Sequence, residues 1–227
     1  MSFGTLYTRP FNPRSTAILA IAKAANLPLE LVAITSSQEA PDSYRKLNPL
    51  GKIPTLVTAK GFVLPECIAI ALYITSQDEK TTLLGSTKED YASILRWMSF
   101  ANSEILFSLG GWFNPLIGRA PFIQEEVDGH MNATLHKLQI LEDHLAAKED
   151  EGPYLVGDSL SLADLFVTGI VAGAFMFFLD GEWREKHPKC TAWFKGVHEL
   201  PMFVEVAGKP VLAEKAMANV PPGRNEE

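Results

Sequence analysis

The chain has 227 residues, 47% of them hydrophobic and 21% charged, an ordinary globular composition that excludes disorder and fibrous repeats. Its 20 basic and 27 acidic residues leave a net charge of −7, which excludes a nucleic-acid binder working through bulk positive charge. Two cysteines, Cys67 and Cys190, give neither a disulfide framework nor a zinc site, and suit a reducing compartment.

The charge is unevenly placed. Residues 1–80 hold 8 basic and 6 acidic side chains, whereas residues 81–227 hold 12 and 21. The step divides the chain into two units, 1–80 and 88–219, the first better suited to a small anionic ligand.

In the first unit, Gly4–Tyr7 is a short β-prone segment that ends in a loop containing Arg9-Pro10-Phe11. Asn12-Pro13 then opens a helix, with Asn12 as N-cap and Pro13 at the first helical position. The apolar run from Ser15 to Ala25 continues it, with Arg14 in its first turn, until Asn26 and Pro28 stop it. Leu29–Ile34 reads as a second strand, and Pro41–Lys46 as a short helix before the loop Asn48-Pro49-Leu50-Gly51. Thr55–Thr58 and Phe62–Leu64 form a hairpin across Ala59-Lys60-Gly61, and Pro65-Glu66 begins another helix. The order is βαβ followed by ββα, a mixed four-stranded sheet.

Beyond residue 80 the pattern is helical, over Glu89–Leu109, Ile123–Ala147, Leu162–Leu179 and Lys189–Leu200, with a weaker helix past Pro201. Ser161 and Asp164 make a capping box with Asp in the Glu/Gln position, and Leu160 is placed to staple onto Leu165. The helix they open is apolar on every side, so it is expected at the centre of the second domain. Its longest apolar stretch, Leu165–Leu179, is 15 residues, too short to span a bilayer. The start MSFGTLYTRPF lacks the features of a signal peptide, so a soluble, cytosolic protein is expected. The tail Val220–Glu227 reads as frayed.

Neither a Gly-x-Gly-x-x-Gly nor a Gly-x4-Gly-Lys-[Ser/Thr] loop is present. His130, His136 and His144 share one helix at spacings of six and eight, which makes no metal face and suits exposed histidines. The informative segment runs from Asn48 to Leu56. An Ile53-Pro54 bond in a loop leading into a strand is a natural place for a cis peptide. Such a bend turns the backbone N–H and C=O of Ile53 outward, where an extended peptide pairs as a strand does. Glu66-Cys67 follows at a helix N-terminus, where free N–H groups hold a carboxylate and the Glu66 side chain accepts an ammonium. With Lys52 near an anion at the far end, these pieces suit a short peptide bearing an amino-acid zwitterion. Each piece alone also reads as purely structural.

Taken together, the segments resemble a glutathione transferase, and within that superfamily the glutathione-transferase-like part of elongation factor 1B gamma and its stand-alone fungal relatives. The resemblance rests on Gly4-Thr5-Leu6-Tyr7-Thr8 with Pro10, Asn12 and Arg14, Lys52-Ile53-Pro54, Pro65-Glu66-Cys67 and Leu83-Leu84-Gly85. It continues through Arg96-Trp97, Ala101-Asn102-Ser103, Ser161-Leu162-Ala163-Asp164, Trp183-Arg184, His187-Pro188 and Trp193-Phe194. It implies an α/β thioredoxin-like N-terminal domain, an all-α C-terminal domain and a homodimer.

The resemblance also implies roles. Pro54 is then the cis-proline and Ile53 the backbone partner of the cysteinyl moiety of glutathione. Glu66 and Cys67 take the γ-glutamyl end, Lys52 and Gln38 the glycyl carboxylate, and Asn102 joins the glutathione-binding set. Most relatives have Ser where this chain has Cys67, so the hydroxyl hydrogen bond is lost while the main-chain N–H survives. Cys67 reads either as a reactive thiol or as a small packed helix residue. For activation of the glutathione sulfur, Tyr7, Asn12 and Arg14 are the candidates, Asn12 with Arg14 nearby being preferred to Tyr7. Equally plain readings are a packing ring for Tyr7, a helix cap for Asn12 and an interdomain tie for Arg14.

An acceptor pocket is expected from the second domain's aromatics, with Phe107, Trp112 and Phe113 the candidates beside Gly110-Gly111, where the helix pattern breaks. The expected activity is addition of the glutathione thiolate to a hydrophobic electrophile, as conjugation or as reversible cis–trans isomerisation, in fungal secondary metabolism. The alternative is a non-catalytic interaction module of the elongation-factor type. That relative carries a Lys-rich linker and a further domain, and this chain stops at Glu227 with neither.

Overall fold

The computed structural model describes residues 2–148 and 151–223, so the last four residues of the expected frayed tail lie outside it. Strands β1 (Gly4–Thr8), β2 (Leu29–Ala33), β3 (Thr55–Thr58) and β4 (Val63–Pro65) form one sheet in the order β2-β1-β3-β4. β1 pairs in parallel with β2 and antiparallel with β3, and β3 pairs antiparallel with β4. The mixed four-stranded sheet is as expected. The last strand begins at Val63, one residue later than its sequence pattern, because Phe62 is used in the turn: its N–H donates to the Thr58 hydroxyl.

Helices α1 (Thr16–Ala24), α2 (Asp42–Arg45) and α3 (Cys67–Thr75) complete the first domain. α1 starts three residues later than expected. Asn12 is not its cap: the Asn12 Oδ1 accepts from the Arg14 N–H at 3.2 Å, closing a turn, and Ser15 takes the N-cap position. Arg14 therefore precedes the helix.

The second domain holds α4 (Lys88–Phe100), a π-helical turn (Ala101–Ile105), α5 (Leu106–Leu116), α6 (Gln124–Ala147), α7 (Leu162–Phe177), α8 (Gly181–Lys186), α9 (Pro188–His198) and α10 (Pro201–Ala207). The expected break at Gly110-Gly111 does not occur: α5 runs through both and on to Leu116. The reason is close packing. A Cβ on Gly111 would stand 2.4 Å from the His130 ring of α6, so the glycine leaves the room that this ring occupies against α5. α8 has no counterpart in the periodicity; it is short, and Asp180 caps it by accepting from the Trp183 N–H.

α7 is the central helix, buried continuously from Leu162 to Val171. At its start the Asp164 carboxylate accepts from the Ser161 N–H at 2.9 Å and the Ser161 hydroxyl at 2.7 Å. Its middle passes close to the N-terminal domain, where a Cβ on Gly169 would lie 3.1 Å from the Pro13 carbonyl. The apolar core is consequently continuous through both domains, from Leu6, Ile18, Leu56 and Ile70 to Phe166, Phe175, Phe194 and Phe203. No helix among the described residues is long and apolar enough to cross a membrane.

Candidate functional site

Strand register gathers the candidate residues at one end of the sheet. Tyr7 of β1 pairs with Thr55 of β3, and Thr55 pairs with Pro65 of β4. Neighbouring strands lie about 4.8 Å apart, so this row sets the end of β1, the Ile53-Pro54 loop and Glu66 side by side within roughly 10 Å. The Ile53-Pro54 bond is cis. The loop is held from behind: Tyr44 donates its hydroxyl, and Asn48 its amide at 2.8 Å, to the Lys52 carbonyl. Among the described residues neither the N–H nor the C=O of Ile53 has a protein partner, which leaves both for a ligand.

Lys52 is exposed beside this loop. Gln38 is also exposed, on a segment that Arg45 secures through bonds to the Ser37 carbonyl at 2.7 Å and the Gln38 carbonyl at 3.3 Å. Glu66 sits at the N-cap of α3 with φ 73° and an exposed side chain. A non-glycine residue in this left-handed region carries local strain of about 1–3 kcal/mol. The first N–H groups of α3 are aimed at the same end of the sheet, where a helix start favours an anion.

The corner between β1 and α1 contains a buried polar cluster. The Asn12 amide donates to the Thr8 hydroxyl at 3.3 Å, and the Thr8 and Ser15 hydroxyls lie 2.7 Å apart. Asn12 is thus buried inside the corner rather than exposed at a helix tip. Tyr7 does not enter the main core. Its ring lies 5.0 Å from that of Tyr44, in a smaller cluster with Ile34, Ala40, Leu47 and Ile53.

Arg14 reaches across the domain boundary, its Nε donating to the Asn102 Oδ1 at 2.7 Å. The Cys67 thiol, buried at the start of α3, donates to the same oxygen at 3.6 Å. Burial pushes the Cys67 thiol above its ordinary value against the downward pull of Arg14. A thiol so placed stays protonated at neutral pH, so of the two readings the packed residue is the one the environment favours.

Of the three aromatic candidates, Trp112 and Phe113 both meet the Phe178 ring, whereas Phe107 packs on His130. Trp112, expected to face an acceptor, is in the core: its ring stacks on Phe178 at 3.8 Å and its Nε1 donates to the Asn219 Oδ1 at 2.6 Å. Continuing the helix past Gly111 turned it inward. Phe107 is exposed and edge-on to His130, in a groove of about 470 Å³ between α5 and the start of α6. Phe113 stays half-buried and stacks on Phe177 at 4.9 Å. Of the three histidines read as exposed, only His136 is; His144 lies against Trp97 and bonds the Leu155 carbonyl, and burial lowers its pKa.

The model for the glutathione S-transferase N-terminal domain matches residues 2–76, and that for the C-terminal domain matches residues 109–201. Glutathione S-transferase stcT of Emericella nidulans is 60% identical over 98% of this chain and 100% of its own length. The chain belongs to the glutathione S-transferase family. The GST-like domain of elongation factor 1-gamma from Saccharomyces cerevisiae is 32% identical with a TM-score of 0.80, over 96% of this chain and 99% of that one. A glutathione transferase of Phanerochaete chrysosporium solved with oxidized glutathione has the same fold, with a TM-score of 0.81 at 23% identity over 90% and 94% of the chains. The family likeness covers both the thioredoxin-like and the helical halves of the chain.

Within this glutathione transferase, the sequence alone gives no site role to Thr8, Ser15, Tyr44 and Asn48. Thr8 and Ser15 flank the corner and bury Asn12, while Tyr44 and Asn48 hold the Ile53 loop from behind. The available signal was an accumulation of hydroxyl and amide side chains around one predicted loop and one predicted turn.

Proposed function

We propose that the chain binds glutathione at this corner and adds its thiolate to a hydrophobic electrophile. The observation that carries the reading is the unpaired backbone of Ile53 set in one row with Glu66 and the end of β1. Ile53 takes the cysteinyl moiety as a strand partner, and the cis-proline Pro54 supports that loop. Glu66 and the Cys67 N–H take the γ-glutamyl ammonium and carboxylate. Lys52 and Gln38 take the glycyl carboxylate, and Asn102 closes the site from the second domain.

The bound thiol loses its proton to solvent, and the sulfur is held as thiolate by positive potential and N–H donors. Asn12 and Arg14 are the groups assigned to this, with Tyr7 the other candidate. In conjugation the sulfur's electron pair forms a bond to an electrophilic carbon. A leaving group then departs with its pair, or the adjacent carbanion takes up a proton. In cis–trans isomerisation the same addition is followed by rotation about the former double bond and expulsion of the thiolate. Phe113 on the Phe177 ring is the acceptor-side surface, with Phe107 a second apolar face. The role assigned is a tailoring step in fungal secondary metabolism, carried out by a cytoplasmic homodimer; the 60% identity to a fungal glutathione S-transferase supports the transferase part of this reading.

Calorimetric titration with glutathione tests the binding, and mass spectrometry of products from an activated aromatic halide and from a cis-enone separates conjugation from isomerisation. Binding with a product 1:1 in glutathione is expected for conjugation. Absence of glutathione binding removes the enzyme reading and leaves the interaction module of the elongation-factor type.

A further inference from the structure

β2 is the outermost strand of the sheet, paired with β1 on one side and with no strand on the other among the described residues. The Ile34 N–H donates to the Thr8 carbonyl at 2.9 Å, and the Pro28 carbonyl accepts from the Phe3 N–H at 2.8 Å. Main-chain groups alternate in direction along a strand, so Glu30 and Val32 also turn theirs towards β1. Leu29, Leu31 and Ala33 turn theirs to the open edge. Such an edge is a template for a further strand, and proteins commonly guard it with lysine, proline, a bulge or a covering helix. The strand sequence LELVA has neither lysine nor proline, and its register with β1 is unbroken from Gly4 with Leu29 to Thr8 with Ala33. Glu30, Leu31, Val32 and Ala33 are all exposed, Leu31 by 58%.

Side chains alternate as well, so Leu29 and Leu31 share one face of β2, and Glu30 and Val32 the other. On the leucine face lies a groove of about 570 Å³, lined by Leu19 of α1, Leu27, Leu29, Leu31 and Val206 of α10. Lys23, which also lines it, is paired with Glu205 at 2.8 Å, so the groove presents no net charge. On the opposite face Glu30 has no partner among the described residues, in a chain whose net charge is −7.

We propose that the β2 edge is a docking site for an extended segment of another protein, added as a fifth strand, with apolar residues on the groove face and a basic residue opposite Glu30. The open main-chain groups recur about every 6.6 Å, twice the rise of a strand residue, and an antiparallel main chain meets them in register. Alternate side chains of the added strand then lie beside Leu29 and Leu31, where the groove selects them by shape. At Glu30 the facing residue is in a pair without main-chain bonds, with Cα atoms about 4.5 Å apart, so a lysine or arginine reaches the carboxylate. Two copies of this chain fit less well edge to edge. Each carries α10 beside its groove, packed on α1, and in a symmetric pairing the two helices would meet across the axis. A single extended segment brings no helix with it. No step of the glutathione chemistry uses this edge, so its test stands apart from that reading.

The probe is the capped peptide Thr-Val-Lys-Val-Lys-Val-Thr, added to the full-length protein, with amide hydrogen exchange as the readout. With about 1 mM peptide the Leu31 and Ala33 N–H groups are expected to exchange at least about tenfold more slowly. The same peptide N-methylated at its valines, whose main-chain groups face β2, is expected to give no protection. Leu31→Asp puts a charge in the groove and is expected to weaken binding by at least about tenfold. Glu30→Lys, on the opposite face, is expected to weaken it about three- to fivefold, and decides the matter if Leu31→Asp does not fold. Absence of protection by the unmethylated peptide overturns the proposal, as does an affinity that neither variant changes. Equal binding of the N-methylated peptide overturns it too, since that reduces the site to apolar adsorption. So does sedimentation in which oligomers of the peptide-free protein dissociate on Leu31→Asp, because a second copy then occupies the edge.

Discussion

Two polar centres of this protein are built in opposite ways. Asp164, at the start of α7, is fully buried, and its carboxylate receives four donors: Ser161 N–H and hydroxyl, Leu155 N–H at 2.8 Å and Trp193 Nε1 at 2.8 Å. Burial pushes its pKa up, and the donors pull against that shift. At the corner between β1 and α1, by contrast, the Ile53 backbone and the Nη groups of Arg14 have no partner among the described residues, and Glu66 is held at φ 73°. Both centres join distant parts of the chain. The first has spent its hydrogen-bonding capacity on the fold, whereas the second retains unspent capacity and local strain.

The largest expected effect breaks the saturated centre. Asp164→Ala leaves four buried donors without their acceptor and is expected to cost about 3–4 kcal/mol in urea denaturation. Ser161→Ala removes one donor and the N-cap side chain and is expected to cost roughly 0.5–2 kcal/mol. Neither change should alter glutathione affinity by more than about twofold in the folded protein, since α7 starts in the other domain.

The unsaturated centre should show the reverse pattern. Glu66→Ala is expected to weaken glutathione binding by about 2–3 kcal/mol in calorimetry, the scale of a charged hydrogen bond. Its stability should hold or rise slightly, because the exposed carboxylate has no partner to lose among the described residues. A stability loss matching that of Asp164→Ala would erase the contrast between the two centres.

A finer comparison lies within the corner, between Asn12 and Tyr7. If Asn12 serves the sulfur, Asn12→Ala should raise the bound thiol's pKa by about one unit, equivalent to roughly 1.4 kcal/mol, while Tyr7→Phe leaves it in place. Denaturation must accompany that titration, because Asn12→Ala also removes the bond to Thr8 and loosens the corner. The opposite result transfers the role to Tyr7.

The smallest expected effect concerns pH. His198 is buried between Phe194 and Phe203, its Nδ1 has no partner among the described residues, and burial lowers its pKa below 6.5. A base whose folded pKa is depressed binds its proton more readily when unfolded, so stability falls as pH drops below 6.5. His198→Phe should flatten that decline in denaturation curves measured between pH 7 and pH 5, the range in which histidine ordinarily titrates. An unchanged slope would assign the decline to other groups.

Much of this was legible before any coordinates. The chain order of strands and helices, the hairpin and the Ser161 helix start follow from turn residues, alternation and a cap, all of which act over a few positions. Asn12 was misread as a cap because Asn before Pro suits two local structures, a helix start and a side-chain turn. Only the burial given by Thr8 and Ser15 selects the turn. Gly110-Gly111 was read as a break because glycine costs about 1 kcal/mol in a helix, a cost outweighed here by the contact with His130.

The sequence by itself determined the two-domain division, the thioredoxin-like order of elements and the loop and helix start that frame the candidate site. These depend on backbone preferences and on hydrogen bonds between near neighbours. Tertiary structure alone decided that Trp112 turns inward onto Phe178, that Phe107 and Phe113 part company, and that Arg14, Cys67 and Asn102 meet on one oxygen. Those outcomes depend on how closely two helices pack and on where a π turn shifts a rod. Contacts across 35 or 88 residues leave no periodic trace in the chain, because nothing local fixes the distance at which the partners come together.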